Sequence, residues 1–352
     1  MPLGTHTLLL LLLVSCDPNM GPAPDHCPDA ESSRITTQDG AQIALHRHRN
    51  EGPPVLVIHG ISSNHRFWDL TAGHSIAEAL VDDGFDPWLL DLRGHGDALR
   101  TETGARQHFG WTIDDYAEFD VSAAMAHIQR TTGHSKVALI GHSLGGMVAA
   151  MYATIHGDEA VAALVTVASP VVFPDGDFQT WLHQTLSAIG TVPRSIPTPA
   201  VARFMAGWHP ALPVQGDAVL FNHRNMAEHM QQTMLRRVVS PTTQGELQQL
   251  HRMLKAGRLV SADGRRDYSA QLSDLTVPLL AIGGGGDRIA PKQRILPWAT
   301  ATGSEDVTVL MADTASGFAA DYGHLDLVLG PAAPREVLQP IVAWLSERRD
   351  HW

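Results

Sequence analysis

Cysteine, positive charge and long apolar runs are all scarce in this sequence, and each scarcity argues against a class of protein. The 352 residues include only two cysteines, Cys16 and Cys27, which are too few for a disulfide-rich secreted scaffold. Lysine and arginine number 25 against 37 acidic residues, so the net charge is −12, and no basic cluster is present. We therefore expect no nucleic-acid partner.

The sequence also lacks the short motifs that usually mark metal or phosphate sites. It has 20 histidines but no His-Glu-x-x-His and no Cys-x-x-Cys, and its four-glycine run at 283–286 is not followed by the lysine of a phosphate-binding loop. We therefore expect no metal and no cofactor. His46 and His48 share one face of a predicted strand, and we interpret that face as solvated rather than metal-binding.

The one long apolar run is at the N-terminus. Leu8 to Val14 is too short to span a bilayer but is typical of a signal-peptide core, so we predict a signal peptide at residues 1–15. Its end, Leu-Val-Ser-Cys at 13–16, resembles the lipobox of bacterial lipoproteins. That resemblance implies export and a membrane tether through lipidated Cys16. The alternatives are a secreted or periplasmic protein, an uncleaved tail, or a Cys16–Cys27 disulfide.

The remaining pattern predicts an α/β protein with a mostly parallel central sheet and helices on both faces. Residues 16–33 are rich in Pro, Asp, Gly and Ser, which predicts a flexible linker. An edge hairpin follows, and then helical patterns, among them Trp68 to Val81 and Thr112 to Arg130, alternate with buried strands. Those strands are predicted at 55–58, 85–90, 137–140, 162–167, 277–282 and 307–311.

Residues 172–272 interrupt this alternation with prolines, amphipathic segments and bulky side chains. We predict a mainly helical cap inserted after the sixth strand, which divides the core into residues 34–171 and 273–352. The methionines and aromatics of the cap either line an apolar acyl pocket or fill the small core of the cap itself. They include Trp181, Phe204, Met205, Trp208, Phe221, Met226, Met230, Met234 and Met253.

The most informative stretch is Gly-His-Ser-Leu-Gly at 141–145, which follows four apolar residues and precedes a segment rich in Ala and Met. This order predicts a buried strand, a sharp turn and a packed helix. In such a turn the serine is held exposed at the sheet edge, and the glycines let neighbouring backbone approach closely. Ser143 is therefore the candidate nucleophile. The alternative is a turn without chemical consequence.

Four landmarks stand in one order along the chain: His59-Gly60 after a strand, the serine turn, Asp287 after a late strand and His324 after the last strand. With them the chain resembles the α/β-hydrolases, in particular serine esterases and lipases, everywhere from residue 34 to 352 except the cap. The segments at 91–96 and 322–326 are also similar to polyhydroxyalkanoate-type acyl enzymes. Those synthases use cysteine at the turn, so Ser143 favours hydrolysis.

The predicted roles follow from what acyl transfer requires. A serine hydroxyl needs a base, for which His324 is the candidate, and the imidazole needs an acceptor on its other nitrogen, for which Asp287 is the candidate. The rival acceptors are Asp175 and Asp177, which follow the preceding strand. Asp326 is too near His324 in sequence, and Asp91 is interpreted as part of a structural turn. The backbone N–H groups of Ile61 and Leu144 are expected to form the oxyanion hole, with His59 bracing the loop.

These features predict a serine hydrolase that cleaves small-molecule or lipid-like carboxylic esters through an acyl-enzyme. The alternatives within the fold are acyltransferase, thioesterase, amidase or lactonase activity. An alternative of another class is a catalytically silent, surface-anchored binding protein that keeps the fold.

Overall fold

The computed structural model describes residues 30–105, 107, 109–174, 195–196, 198, 217–349 and 352. Eight strands form one sheet in the order β1-β2-β4-β3-β5-β6-β7-β8. β1 pairs antiparallel with β2 and β2 antiparallel with β4, while all other neighbours are parallel. The strands are β1 (Glu31–Thr36), β2 (Gln42–Arg47), β3 (Pro54–Ile58), β4 (Asp86–Asp91), β5 (Val137–His142), β6 (Val161–Val167), β7 (Leu279–Gly284) and β8 (Val307–Ala312).

Both faces of the sheet are buried, because successive side chains of its inner strands enter two different apolar clusters. On β3, Leu56 and Ile58 pack into one cluster, whereas Val55 and Val57 pack into the other. Helices cover both faces. Those of the core are α1 (Ile76–Asp82), α2 (Ile113–Asp115), which continues through a π-helical segment (Tyr116–Val121) into α3 (Ser122–Thr132), and α4 (Leu144–His156).

The described part of the predicted cap is mainly helical and lies between β6 and β7. It contains α5 (Asp217–Leu220), α6 (Glu228–Arg237), α7 (Gln244–Ala256) and α8 (Tyr268–Gln271), with one short pairing of Ser195–Ile196 with Thr242–Thr243. The cap is fastened to the core by Asn64, whose amide donates to the carbonyls of Arg237 and Val238 at 3.0 and 2.8 Å. Of the cap residues singled out above, Trp181, Phe204, Met205 and Trp208 lie outside the described residues.

The helices after the cap complete the core. They are α9 (Lys292–Ile295), α10 (Trp298–Ala301), α11 (Asp326–Leu329) and, after a π-helical turn (Pro334–Leu338), α12 (Gln339–Ser346). Short 3-10 turns occupy His65–Phe67, Gly96–Leu99, His223–Asn225, Leu272–Asp274 and Thr314–Ser316.

Three local expectations are wrong. β1 begins at Glu31, inside the predicted linker, because an edge strand pairs through its backbone and needs no apolar side chains. The predicted helix at 68–81 starts only at Ile76, since residues 69–71 and 74–75 form a hairpin around Gly73, which has φ +75°. The His46 face is not solvated: His46 is 2% exposed, because the loop after β3 covers it.

No helix among the described residues is long and apolar enough to cross a bilayer. The predicted signal peptide, Cys16 and Cys27 all lie outside the described residues.

Candidate active site

Ser143 lies at a strained turn between β5 and α4. Its φ is +52°, a conformation that non-glycine residues rarely adopt. Its backbone N–H donates to the carbonyl of Val167 at the end of β6, at 2.8 Å. The turn is therefore held to the neighbouring strand and presents the Ser143 side chain at the carboxyl edge of the sheet.

Close backbone packing requires glycine on either side of Ser143. A Cβ on Gly141 would lie 2.3 Å from the nitrogen of Gly146, and one on Gly145 would lie 2.4 Å from the carbonyl oxygen of Ile58. Real side chains do not tolerate such contacts with backbone atoms. Glycine at both positions lets α4 begin directly against the end of β3.

The structure brings Ser143, His324 and Asp287 together in a hydrogen-bonded line. His324 Nε2 is 2.9 Å from Ser143 Oγ, and His324 Nδ1 is 2.8 Å from Asp287 Oδ2. Because a carboxylate only accepts hydrogen bonds, Nδ1 carries the hydrogen and Nε2 is left to accept from the serine hydroxyl. All three side chains are at most 8% exposed, so little water competes for these bonds.

Asp287 is oriented by the turn after β7. Its Oδ1 accepts the backbone N–H groups of Ile289 and Ala290, each at 2.8 Å, which leaves Oδ2 for His324. The glycine run before it lets the loop of His324 approach, since a Cβ on Gly284 would lie 2.2 Å from the carbonyl oxygen of Tyr322. The sequence predicted an uncrowded turn here, and its glycines also allow this close packing.

The other candidate carboxylates have different partners or are not described. Asp326 accepts N–H groups of Gly323, Asn222 and Asn225 at 2.8–3.0 Å, so it fastens the His324 loop to the cap. Burial raises the pKa of Asp326. Asp91 is held by two histidines away from Ser143, and Asp175 and Asp177 lie outside the described residues.

The loop after β3 packs directly on the serine turn. A Cβ on Gly60 would lie 3.2 Å from the Ser143 Cβ. His59 accepts the N–H of Leu92 at Nε2 and donates from Nδ1 to the carbonyl of Gly60, at 3.3 and 2.8 Å. Since a trans peptide directs its C=O and N–H oppositely, the N–H of Ile61 points away from the His59 ring. Burial lowers the pKa of His59 to about 3, so this brace is neutral.

His142 forms a hydrogen bond with the His324 loop that the sequence did not predict. Its Nε2 lies 3.0 Å from the carbonyl oxygen of His324, to which only an N–H can donate. Burial and the nearby His324 hold the pKa of His142 well below its ordinary value, so the ring is neutral. Thus the residue before the serine fixes the backbone of the histidine that faces it.

An apolar cavity of about 380 Å³ opens above these residues. Core and cap both contribute to its walls, where Ser62, Ser63, Thr198 and Arg294 are polar or charged. The apolar part includes Phe67, Leu144, Met147, Phe173, Leu220, Met234, Leu235, Val238, Leu250, Leu254 and Leu325. Ile61, Ser143 and His324 lie on the same cavity. All four described cap methionines are buried in the apolar clusters, and Met234 also lines the cavity, whereas Met226, Met230 and Met253 do not.

Comparison with known protein families gives the same fold as the strand order and the serine turn described above. The family model described as alpha/beta hydrolase fold matches residues 53–318 of the 352. The chain belongs to the α/β-hydrolase fold family. The predicted fold class and family are therefore confirmed.

Known proteins similar to this α/β-hydrolase include a probable lipase of Schizosaccharomyces pombe, 29% identical over 166 residues that cover 42% of this chain and 36% of the lipase. A poly(3-hydroxyalkanoate) polymerase subunit of Haloferax mediterranei is 23% identical over 84% of this chain and 59% of the subunit. The chain thus spans less than two thirds of either relative. A thermophilic esterase from Thermogutta terrifontis shares the fold, with a TM-score of 0.61, 21% identity and coverage of 91% of this chain and 100% of that one.

This α/β-hydrolase also contains a buried cluster that sequence spacing did not predict. His46 on β2, His65 in the loop after β3 and Asp91 at the end of β4 place ligand atoms within 4.8 Å of one another. Among the described residues, these are the ones whose donors could hold a metal ion. Because they come from three separate elements, no short motif could have revealed them.

Proposed function

We propose that this protein is a serine hydrolase of carboxylic esters. The observation that carries the proposal is the line from Asp287 through His324 to Ser143, with contacts of 2.8 and 2.9 Å beside an apolar cavity. Similarity to a probable lipase and to an esterase fold supports the same conclusion.

In the proposed reaction, Ser143 Oγ attacks the ester carbonyl carbon while His324 Nε2 takes the hydroxyl proton. The tetrahedral intermediate then breaks its bond to the alcohol oxygen, which receives that proton from His324. This leaves an acyl group on Ser143. A water molecule then attacks the acyl carbon while His324 takes one of its protons. The bond from the acyl carbon to Ser143 Oγ breaks, Oγ receives that proton from His324, and the carboxylic acid leaves. The carboxylate of Asp287 stabilises the imidazolium that forms in each half of the cycle.

The carbonyl oxygen becomes negative in each intermediate, and we propose that the N–H groups of Ile61 and Leu144 receive it. Two features support this assignment. Leu144 is the first residue of α4, so its N–H has no acceptor within the helix. The peptide before Ile61 is oriented by His59, and Ile61 lies on the same cavity as Ser143.

The cavity supports an apolar acyl group as the substrate portion next to Ser143. Aliphatic and thioether side chains form most of its described wall, and they offer no partners for a strongly polar acyl chain. The alternative of a silent binding protein has less support, because a binding role does not require three side chains in mutual hydrogen-bond contact at a strained serine.

Hydrolysis of p-nitrophenyl esters of increasing acyl length tests this proposal. We expect kcat/KM to rise by up to about fourfold per added methylene while the acyl chain stays in the cavity, since each buried methylene contributes about 0.8 kcal/mol.

Replacing Ser143 tests the nucleophile. Ser143→Ala should lower kcat by about 10⁴-fold or more, while the free energy of unfolding in urea stays unchanged. A Ser143→Ala protein that hydrolyses these esters at nearly the parent rate would contradict the proposal.

The tie between His142 and His324 generates a second prediction. Replacing His142 by Phe keeps a ring but removes the N–H that fixes the His324 carbonyl, and we expect kcat to fall about tenfold with KM nearly unchanged. His142→Gln, whose amide N–H can reach the same oxygen, should recover most of the loss. Equal kcat for the Phe variant and the parent protein would show that the tie does not position the base.

We further propose that the protein is exported and tethered to a membrane through lipidated Cys16. Support comes from the Leu-Val-Ser-Cys sequence at 13–16, which ends the apolar run at 8–14. In cells fed a clickable palmitate analogue, the parent chain should be labelled and found with membranes, whereas Cys16→Ser should be unlabelled. Equal labelling of the two would exclude Cys16 as the lipidated residue, and labelling of neither would exclude lipidation.

A further inference from the structure

His46, His65 and Asp91 form a buried cluster at the end of β4, outside the candidate active site. His46 and His65 are 2% and 4% exposed, and Asp91 is fully buried. The topology explains how they meet. β2 pairs with β4 so that Asp91 lies opposite Ala44, which makes His46 its diagonal neighbour. His65 begins the 3-10 turn that follows β3, the strand on the other side of β4.

The two imidazoles are directed at the same carboxylate oxygen. His65 Nδ1 lies 2.8 Å and His46 Nε2 lies 3.1 Å from Asp91 Oδ2, and the two rings stack with centroids 3.6 Å apart. Zinc takes nitrogen and oxygen ligands at about 2.0–2.2 Å, so two ligands at a tetrahedral angle are about 3.4 Å apart. The observed separations are close to those that one shared ion requires.

A second carboxylate, that of Asp97, lies beside the cluster. Asp97 Oδ2 is 3.9 Å from His46 Nε2, and the side chain of Asp97 is 41% exposed. Asp97 is engaged otherwise: its backbone N–H donates to Asp91 Oδ2 at 2.8 Å, and its Oδ1 lies 3.4 Å from the guanidinium of Arg66. The ligands are therefore two imidazoles and one carboxylate, a donor set that suits zinc and neighbouring divalent transition metals, with a water molecule as the remaining ligand.

The surroundings fix the orientation of these ligands. Ser32 Oγ lies 2.9 Å from His46 Nδ1, so a hydrogen on Nδ1 can be donated to the serine, which leaves Nε2 for an ion. The backbone N–H of His65 donates to Asp91 Oδ1 at 2.8 Å, which turns Oδ2 towards the imidazoles. Partners of this kind around metal ligands set the tautomer and ring orientation.

We propose that His46, His65 and Asp91 bind one zinc-class divalent ion. The ion would join β2, the loop after β3 and the end of β4, three segments that are distant in sequence. None of the three residues is among the described residues that line the substrate cavity, so the site is structural rather than catalytic. Its expected effect is to stabilise the fold, including the loop that carries Gly60 and Ile61.

The test is a calorimetric titration of untagged, chelator-treated full-length protein with Zn²⁺, together with its melting temperature with and without Zn²⁺. We expect one ion per chain and a higher melting temperature in its presence. Co²⁺ should produce visible absorption bands of a low-coordinate site, a readout that is independent of activity.

Variants separate a metal site from a cluster held by hydrogen bonds alone. His46→Gln keeps an N–H for Asp91 but removes the imidazole ligand, and it should weaken Zn²⁺ binding by about 100-fold or more. Asp97→Asn, which changes the neighbouring carboxylate outside the ligand set, should leave Zn²⁺ binding nearly unchanged. His48→Gln, on a neighbouring histidine outside the cluster, is the matched control and should bind normally. Absence of stoichiometric binding by the parent protein, or equal binding by His46→Gln, would overturn the proposal.

Discussion

The turn at Ser143 is the constraint on which the rest of the site depends. The positive φ of a non-glycine residue costs about 1–3 kcal/mol of conformational free energy, and surrounding contacts hold Ser143 in this conformation. The N–H of Ser143 is bound to the end of β6, and Gly145 packs against the end of β3. The turn therefore presents the serine side chain at the sheet edge. There His324, on the loop after β8, contacts the serine hydroxyl, and Asp287, on the loop after β7, contacts His324.

Neutral buried histidines form much of the scaffold around this turn. Burial keeps both His59 and His142 uncharged, so each acts as a fixed hydrogen-bond partner and adds no positive charge next to His324. In the proposed reaction, positive charge that develops on His324 would be stabilised by the carboxylate of Asp287, which contacts its Nδ1. This arrangement suits a base that must gain and lose a proton in each cycle.

The cap and the candidate base are mechanically linked. Asp326 lies two residues after His324 and accepts N–H groups of Asn222 and Asn225 in the cap. The cap in turn supplies Met234 and Val238 to the cavity wall and is fastened to the core through Asn64. A movement of the cap is thus expected to displace the His324 loop as well. A change in the shape of the cavity would then change the position of His324 relative to Ser143.

The sequence predicted the buried strands and the order of the four landmarks because those features are local. An apolar run such as the one before Gly141 indicates a buried strand. The glycines of the motif beside Ser143 indicate that backbone packs closely there. Asp287 and His324 could be placed near Ser143 because each follows a strand of the resembled family's sheet, whereas spatial neighbours outside these landmarks were not predictable. His46 meets Asp91 only because β2 lies beside β4, and the helical spacing at 68–81 is met equally well by a hairpin followed by a shorter helix.

The central claim is that His324 activates Ser143 as a nucleophile, and labelling with a fluorophosphonate followed by peptide mapping tests it most directly. The account predicts one phosphonyl group per chain, located on Ser143, with labelling slowed by several orders of magnitude in a folded His324→Ala variant. Labelling at another residue, no labelling, or equally fast labelling of Ser143 in the His324→Ala variant would contradict it.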